Sequence, residues 1–234
     1  MNSGDFMMKI GIPLRYHHMD DGRCILYLAE RVRRTIQKAG GFIIPIVQVQ
    51  DVDYYQTHFK EFPELTDDEK KHIDSYLDMV DGVLFPGGFK ITPFDVYLLE
   101  RCIERNIPTL GICLGMQLMS CVGEDFKVYP NESDISHLQE SDEGFSHRVK
   151  IDNNSLLYKI LGEEEILVNS FHRYHVTIEN SYIVNAISED GYIEGIELPD
   201  QKFHLGIQWH PEISYEEDAN SQKIIDYFLG VCQK

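Results

Sequence analysis

One cysteine on a glycine-flanked turn constrains this chain more than any other feature. The run Gly111-Ile112-Cys113-Leu114-Gly115-Met116-Gln117 follows directly on the apolar stretch Ile107-Pro108-Thr109-Leu110. That is the outline of a nucleophile elbow, a turn that strains its central residue and lifts the side chain above the end of a buried strand, with small neighbours to make room. Leu114 to Cys121 reads as the helix that follows. A thiol at a helix N-terminus meets the positive end of the macrodipole, which favours the nucleophilic thiolate. The fold must therefore provide a buried strand with a helix packed back on it, and the chemistry expected is that of a cysteine enzyme.

The rest of the first half suits that demand, because strand and helix signals alternate as in a parallel sheet with crossover helices. Lys9 to Pro13 is the first strand. Ile25, Leu28, Ala29, Val32 and Ile36 recur at helical spacing up to Gly40, a fitting stop. Phe42 to Val47 is the next strand, placed by Pro45 at an edge or a bulge. Thr66 and Glu69 have capping-box spacing ahead of Ile73, Leu77 and Val80. Gly82 to Pro86 is a third strand, Thr92-Pro93 opens a helix through Arg105, and Ile107 to Ile112 delivers Cys113. From Val149 onward, short β-rich runs (Ile166 to Asn169, Tyr182 to Ile187, Tyr192 to Leu198, Lys202 to Trp209) predict an antiparallel or mixed extension closed by a helix at Glu217 to Leu229. The polar stretch Asn131 to Gly144 reads as a surface loop, with a cover over the active site as the alternative.

A cysteine nucleophile needs a base, and the chain has ten histidines. Only His210 lies in an equally organised context, Phe203-His204-Leu205-Gly206-Ile207-Gln208-Trp209-His210-Pro211-Glu212. Alternating Phe203, Leu205 and Ile207 argue for a strand ending at Pro211. In extended chain His210 and Glu212 point the same way, so the carboxylate can hold one imidazole nitrogen and leave the other for the thiol. The remaining cysteines, Cys24, Cys102, Cys121 and Cys232, read as small buried hydrophobes. Gly87-Gly88 alone is a plain strand-to-loop turn, and Gln117 alone a water-exposed residue of the first helical turn.

Three segments in this order, Phe85-Pro86-Gly87-Gly88, the elbow at Cys113 and Gln208-Trp209-His210-Pro211-Glu212, resemble the signatures of the class I glutamine amidotransferase superfamily over nearly the whole chain. The segment Val168-Asn169-Ser170-Phe171-His172 resembles its γ-glutamyl hydrolase branch, γ-glutamyl-γ-aminobutyrate hydrolases included, and most of all hydrolases of γ-glutamyl-CDP-amidate in bacterial capsule phosphoramidate pathways. The resemblance implies an α/β fold, a parallel or mixed central sheet flanked by helices in a flavodoxin-like three-layer sandwich, with a β-rich C-terminal extension. It implies a catalytic triad of Cys113, His210 and Glu212 that cleaves a γ-glutamyl amide through a thioester. Backbone N–H groups of Gly87, Gly88 and Leu114 would form the oxyanion hole. Gln117 and the Ser170-Phe171-His172 segment would hold the glutamyl end. The alternatives in the same superfamily are a γ-glutamyl-γ-aminobutyrate hydrolase and a glutaminase subunit feeding ammonia to a synthetase. Many γ-glutamyl hydrolases continue as His-His-Gln, whereas this chain reads His172-Arg173-Tyr174-His175, so a different leaving-group pocket is expected. Arg15, in Arg15-Tyr16-His17-His18 just past the first strand, and Arg173 are the candidates to pair with an anionic leaving group.

Composition narrows the partners. Lys plus Arg total 21 against 39 Asp plus Glu, a net charge of −18 with no basic block, which argues against nucleic acid and for a small-molecule substrate. The five cysteines show no C-x-x-C pair and no framework spacing, arguing for a reducing compartment and against disulfides or structural zinc. His17, His18, His172 and His175 have no further ligand at recognisable spacing, so no metal and no cofactor is expected. No run approaches the roughly 18 apolar residues of a membrane span, and no signal-peptide pattern opens the chain, so the cytoplasm is the expected address. Residues 1–6 read as a disordered or appended N-terminus, and 7–234 as a single catalytic domain.

Overall fold

Stretches that are apolar on both faces become the middle of the sheet. The computed structural model describes residues 7–54, 56–123 and 127–233, and the N-terminal segment 1–6 lies outside the described residues. The first half runs β1 (Lys9–Pro13), β2 (Arg15–His18), β3 (Cys24–Tyr27), α1 (Glu30–Lys38), β4 (Phe42–Ile46), α2 (Asp67–Leu77), β5 (Gly82–Phe85), α3 (Pro93–Glu104), β6 (Thr109–Ile112) and α4 (Leu114–Ser120). The second half is rich in strands: β7 (Val128–Pro130), β8 (His147–Ile151), α5 (Leu156–Leu161), β9 (Glu165–Val168), β10 (Tyr174–Val176), β11 (Ile183–Ser188), β12 (Ile193–Glu197), β13 (His204–Ile207), α6 (Pro211–Ser214) and α7 (Ala219–Cys232). Nine strands form one sheet in the order β4-β1-β5-β6-β13-β12-β11-β8-β9. The strands from β4 to β13 pair in parallel, and those from β13 to β9 antiparallel.

Burial explains this division. Val83, Leu84 and Phe85 of β5 are all fully buried, as a parallel strand covered by helices on both sides requires. On one face Ile10, Ile12, Leu84 and Leu110 pack with Val32 and Ile36 of α1 and with Ile224 and Phe228 of α7. On the other, Val83 and Phe85 pack with Ile73 of α2, Leu98 of α3 and Leu118 of α4. The result is the helix–sheet–helix sandwich with a mixed sheet expected from the resemblance. In the antiparallel part the pattern changes to alternation: His147, Val149 and Ile151 of β8 are buried while Arg148 and Lys150 are exposed. The capping box expected of Thr66 with Glu69 forms, and a second, Thr92 with Asp95, accompanies the Thr92-Pro93 helix start.

Two expectations are corrected. The helix read from Ile25 begins only at Glu30; Cys24–Tyr27 instead pairs antiparallel with Arg15–His18. The turn is closed by Met19 N–H donating to the Arg23 carbonyl at 2.8 Å, with Gly22 at φ 85°, a left-handed value that favours glycine. Cys24 is therefore exposed, while Cys102, Cys121 and Cys232 are buried as expected. The segment 131–144 is more than a solvated loop. His137 is buried within it, Leu138 bridges to Phe171, and the Ser170 N–H donates to the Gln139 side chain at 2.7 Å. Among the described residues no helix is long and apolar enough to cross a membrane.

Candidate active site

Parallel β5, β6 and β13 lie side by side, so their C-terminal ends bring Pro86-Gly87-Gly88, Cys113 and His210 to one edge of the sheet. Cys113 has φ 53° and ψ −104°, a conformation that costs a non-glycine residue about 1–3 kcal/mol. Two bonds hold it there: its N–H donates to the Ile207 carbonyl at 2.8 Å, and its own carbonyl accepts from Gln117 N–H at 3.0 Å in the first turn of α4. The flanking glycines are required by close approach. A Cβ on Gly115 would lie 2.2 Å from the Phe85 carbonyl oxygen, and one on Gly111 would lie 2.7 Å from the Gly115 carbonyl carbon.

His210 caps the short helix α6, with Pro211 at its first position. Its Nδ1 is 2.7 Å from Glu212 Oε1, and its buried Nε2 has no well-directed partner among the described residues, Cys113 being the group that acts on the ring beside Glu212. A Cβ on Gly87 would stand 3.1 Å from His210 Cε1 and 3.6 Å from Cys113 Cβ, so the imidazole and the cysteine meet across this glycine. Burial alone would lower the imidazole pKa. The charges of Glu212 and Cys113 more than offset it and hold His210 well above its ordinary value. Asn169, which the sequence reading quoted but gave no role, brackets His210: its Nδ2 donates to the His210 carbonyl and its Oδ1 accepts from the His210 N–H, both at 2.8 Å. The Thr35 hydroxyl of α1 donates to the Glu212 carbonyl at 3.0 Å, fixing α6 from the other side.

The other expected site residues fall into place unevenly. Gln117 is buried rather than water-exposed, its Nε2 3.3 Å from Gln208 Oε1 and 3.4 Å from the Tyr174 carbonyl. Phe171 sets its ring edge-on to His210 at 5.7 Å between centroids, and Ser170 is fully buried with its hydroxyl donating to the His137 carbonyl at 3.0 Å. The side chain of His172 turns away into a buried group with His137, His147 and Glu194. That gathering corrects the reading that no further ligand-type residues surround these histidines. Arg15 is also corrected as a direct anion partner. It is 5% exposed, and its guanidinium donates to Asp95 Oδ1 at 2.7 Å and to the Pro86 carbonyl at 2.9 Å, so its charge is already balanced. Its position is structural, under the Gly87-Gly88 loop: a Cβ on Gly88 would lie 3.1 Å from its Cδ and Nε. Arg173 is exposed beside β10. Next to Gly88, a cavity of about 390 Å³ is lined by Arg15, Tyr16, His17, His18, Phe89 and Lys90.

Residues 93–212, about half of the chain and including Cys113, His210 and Glu212, match the Peptidase C26 family. The chain belongs to the Peptidase C26 family. This C26 protein is 30% identical to Protein NtpR of Enterococcus hirae over 188 residues, covering 68% of this chain and 78% of that protein. It is 31% identical to a gamma-glutamyl-gamma-aminobutyrate hydrolase of Escherichia coli O157:H7 over 147 residues, 58% of each chain. In three dimensions it is similar to the glutaminase domain of Trypanosoma brucei CTPS with bound acivicin, with a TM-score of 0.64 and 16% identity, covering 97% of this chain and 94% of that one. The C26 chain is thus a glutamine amidotransferase-like hydrolase. Gly87-Gly88 lies just upstream of the matched C26 segment and Arg15 far upstream of it, so β5 and the β2–β3 hairpin contribute to the site from outside that segment.

Proposed function

We propose that this C26 protein hydrolyses a γ-glutamyl amide through a thioester on Cys113. The observation that carries the reading is the placement of His210, held at Nδ1 by Glu212 and meeting Cys113 across Gly87. The thiolate attacks the δ-carbonyl carbon, and imidazolium Nε2 gives its proton to the departing nitrogen as the C–N bond breaks. Neutral His210 then takes a proton from water, which attacks the thioester and releases glutamate and the thiolate. The oxyanion of each tetrahedral intermediate is met by the N–H of Leu114, one of the unpaired donors of a helix start, and by N–H groups of Gly87-Gly88, where a missing side chain allows close approach. Gln117 and the backbone of Phe171 bind the glutamyl end, beside the ring of Phe171 against His210; the Ser170 backbone, bonded on both its N–H and its carbonyl to Gln139, holds that segment in place.

For the leaving group we assign a phosphorylated amidate, with γ-glutamyl-CDP-amidate as substrate and CDP-amidate as product. The cavity beside Gly88 supports this: its size suits a small ligand, Tyr16 and the 90% exposed Phe89 offer faces for a base or sugar, and His17, His18 and Lys90 line it with groups suited to phosphate. Arg173, rather than Arg15, is the arginine left for a direct phosphate contact. The purified protein alone should release glutamate from a γ-glutamyl nucleotide amidate far faster than from glutamine, because contacts to the remote leaving group orient the scissile bond. Preference for γ-glutamyl-γ-aminobutyrate would keep the reaction and remove the phosphorylated substrate. Preference for glutamine, or activity only with an added synthetase, would contradict the hydrolase reading in favour of a glutaminase subunit.

A further inference from the structure

We propose that His137, His172 and Glu194 form a zinc site that clamps the 131–144 segment and the Asn169–His172 segment onto the sheet. The proposal stands apart from the hydrolase reading and uses none of its triad residues.

Four elements distant in sequence converge on one carboxylate. Glu194 of β12 is fully buried, and its Oε1 lies 3.3 Å from each of His137 Nδ1, His147 Nε2 and His172 Nε2. His137 Nδ1 and His172 Nε2 are themselves 3.2 Å apart. A zinc ion 2.0–2.2 Å from four donors at tetrahedral angles keeps those donors roughly 3.3–3.6 Å from one another. The distances among His137 Nδ1, His172 Nε2 and Glu194 Oε1 are therefore those of a ligand shell, with His147 packed against Glu194 beside it. Two imidazoles and one carboxylate, with the fourth position taken by water, are a donor set that suits zinc.

The outer partners fix which atoms face inward. His137 Nε2 is 2.9 Å from Asp190 Oδ2, and a carboxylate can only accept, so that nitrogen carries the hydrogen and Nδ1 presents its lone pair. His172 Nδ1 is 3.1 Å from the Tyr174 carbonyl and 3.4 Å from Asn131 Nδ2, which itself donates to the His172 carbonyl at 3.2 Å; donation from Nδ1 to the nearer Tyr174 oxygen leaves Nε2 as the lone-pair nitrogen. Metal-bound histidines are oriented in this way, by a carboxylate or a carbonyl on the far nitrogen. The inner atoms are otherwise unsatisfied. Both oxygens of Glu194 are buried without a hydrogen-bond partner among the described residues. A single proton can bridge one pair of these acceptors, whereas a divalent cation at the centre satisfies them all. The clamp has a use: Ser170 and Phe171 lie directly before His172, and Asn169 holds the His210 backbone.

The test uses the untagged Cys113→Ala protein, so that zinc cannot be held by that thiolate. After incubation with zinc chloride and desalting, it should retain about one zinc per chain by elemental analysis, and Glu194→Gln and His137→Ala in the same background should weaken binding at least about tenfold. Cobalt(II) in place of zinc should give the strong visible bands of a four-coordinate site with no sulfur charge-transfer band. Absence of retained zinc in the parent, undiminished binding in folded variants, or the weak spectrum of six-coordinate cobalt would each overturn the proposal. Should the variants fail to fold, zinc retention and the cobalt spectrum of the parent decide it.

Discussion

At the residue scale, Glu212 is the group whose proposed work is easiest to isolate, because it touches His210 at Nδ1 and, in the proposed mechanism, leaves Nε2 to the chemistry. Glu212→Gln should lower kcat roughly 10²- to 10⁴-fold, by analogy with other triad carboxylates, and change KM little. Unchanged steady-state kinetics would mean that another group orients the imidazole. The same contact has a pH signature. Although burial opposes it, Glu212 and Cys113 raise the folded-state pKa of His210 well above its ordinary value, so the folded protein holds this proton more tightly than the unfolded chain. Stability from that charge pairing is fully present below the unfolded value near 6.5 and is lost as pH rises through the folded value. An NMR titration of His210 should show a midpoint well above 6.5 in the wild type and a lower one in Glu212→Gln. A wild-type midpoint at or below 6.5 would contradict the coupling.

At the scale of elements, the site depends on how tightly α4 and the Gly87-Gly88 loop are seated. Gly115→Ala drives a methyl into the Phe85 carbonyl, a contact of 2.2 Å that rigid backbone cannot relieve, and overpacking of this kind costs about 1–3 kcal/mol or more. Arg15→Ala strips the partner from Asp95, which is 1% exposed and also caps α3; breaking such a buried pair costs about 3–5 kcal/mol, on the order of 10 °C in Tm. Activity should then fall alike for every substrate, whereas Arg173→Ala should raise KM only for a phosphorylated one. A stable Arg15→Ala protein that loses only the phosphorylated substrate would restore the direct contact. These elements also show what sequence could and could not reveal. The β5, α3 and β6–α4 units were legible because an apolar run, a Thr-Pro helix start and a glycine-flanked turn are local signals. The β2–β3 hairpin was hidden by the helical spacing of Ile25 to Ile36, although Asp21-Gly22 carried the turn signal that closes it. The buried histidine group was illegible, since residues 137, 147, 172 and 194 share no local spacing and meet only through the antiparallel part of the sheet.

For the whole molecule, the antiparallel strands carry Asn169 to Phe171 back to His210, so in the proposed mechanism the parallel half supplies the nucleophile and the other half steadies the base. Charge acts over the same distance. With a net charge of −18, the protein repels an anionic substrate at long range, and added salt screens that repulsion. The kcat/KM for a phosphorylated γ-glutamyl amide should therefore rise with ionic strength while that for glutamine stays flat; a fall with salt would show that local cations dominate the approach. The covalent step is tested most directly by acid-quenching the enzyme during turnover of a γ-glutamyl amide and mapping the protein by mass spectrometry. One γ-glutamyl group should be found as a thioester on the peptide containing Cys113, and Cys113→Ala should show neither the adduct nor turnover. An adduct elsewhere, or a Cys113→Ala protein that keeps more than about a tenth of the wild-type rate, would contradict a nucleophile whose loss should cost several powers of ten.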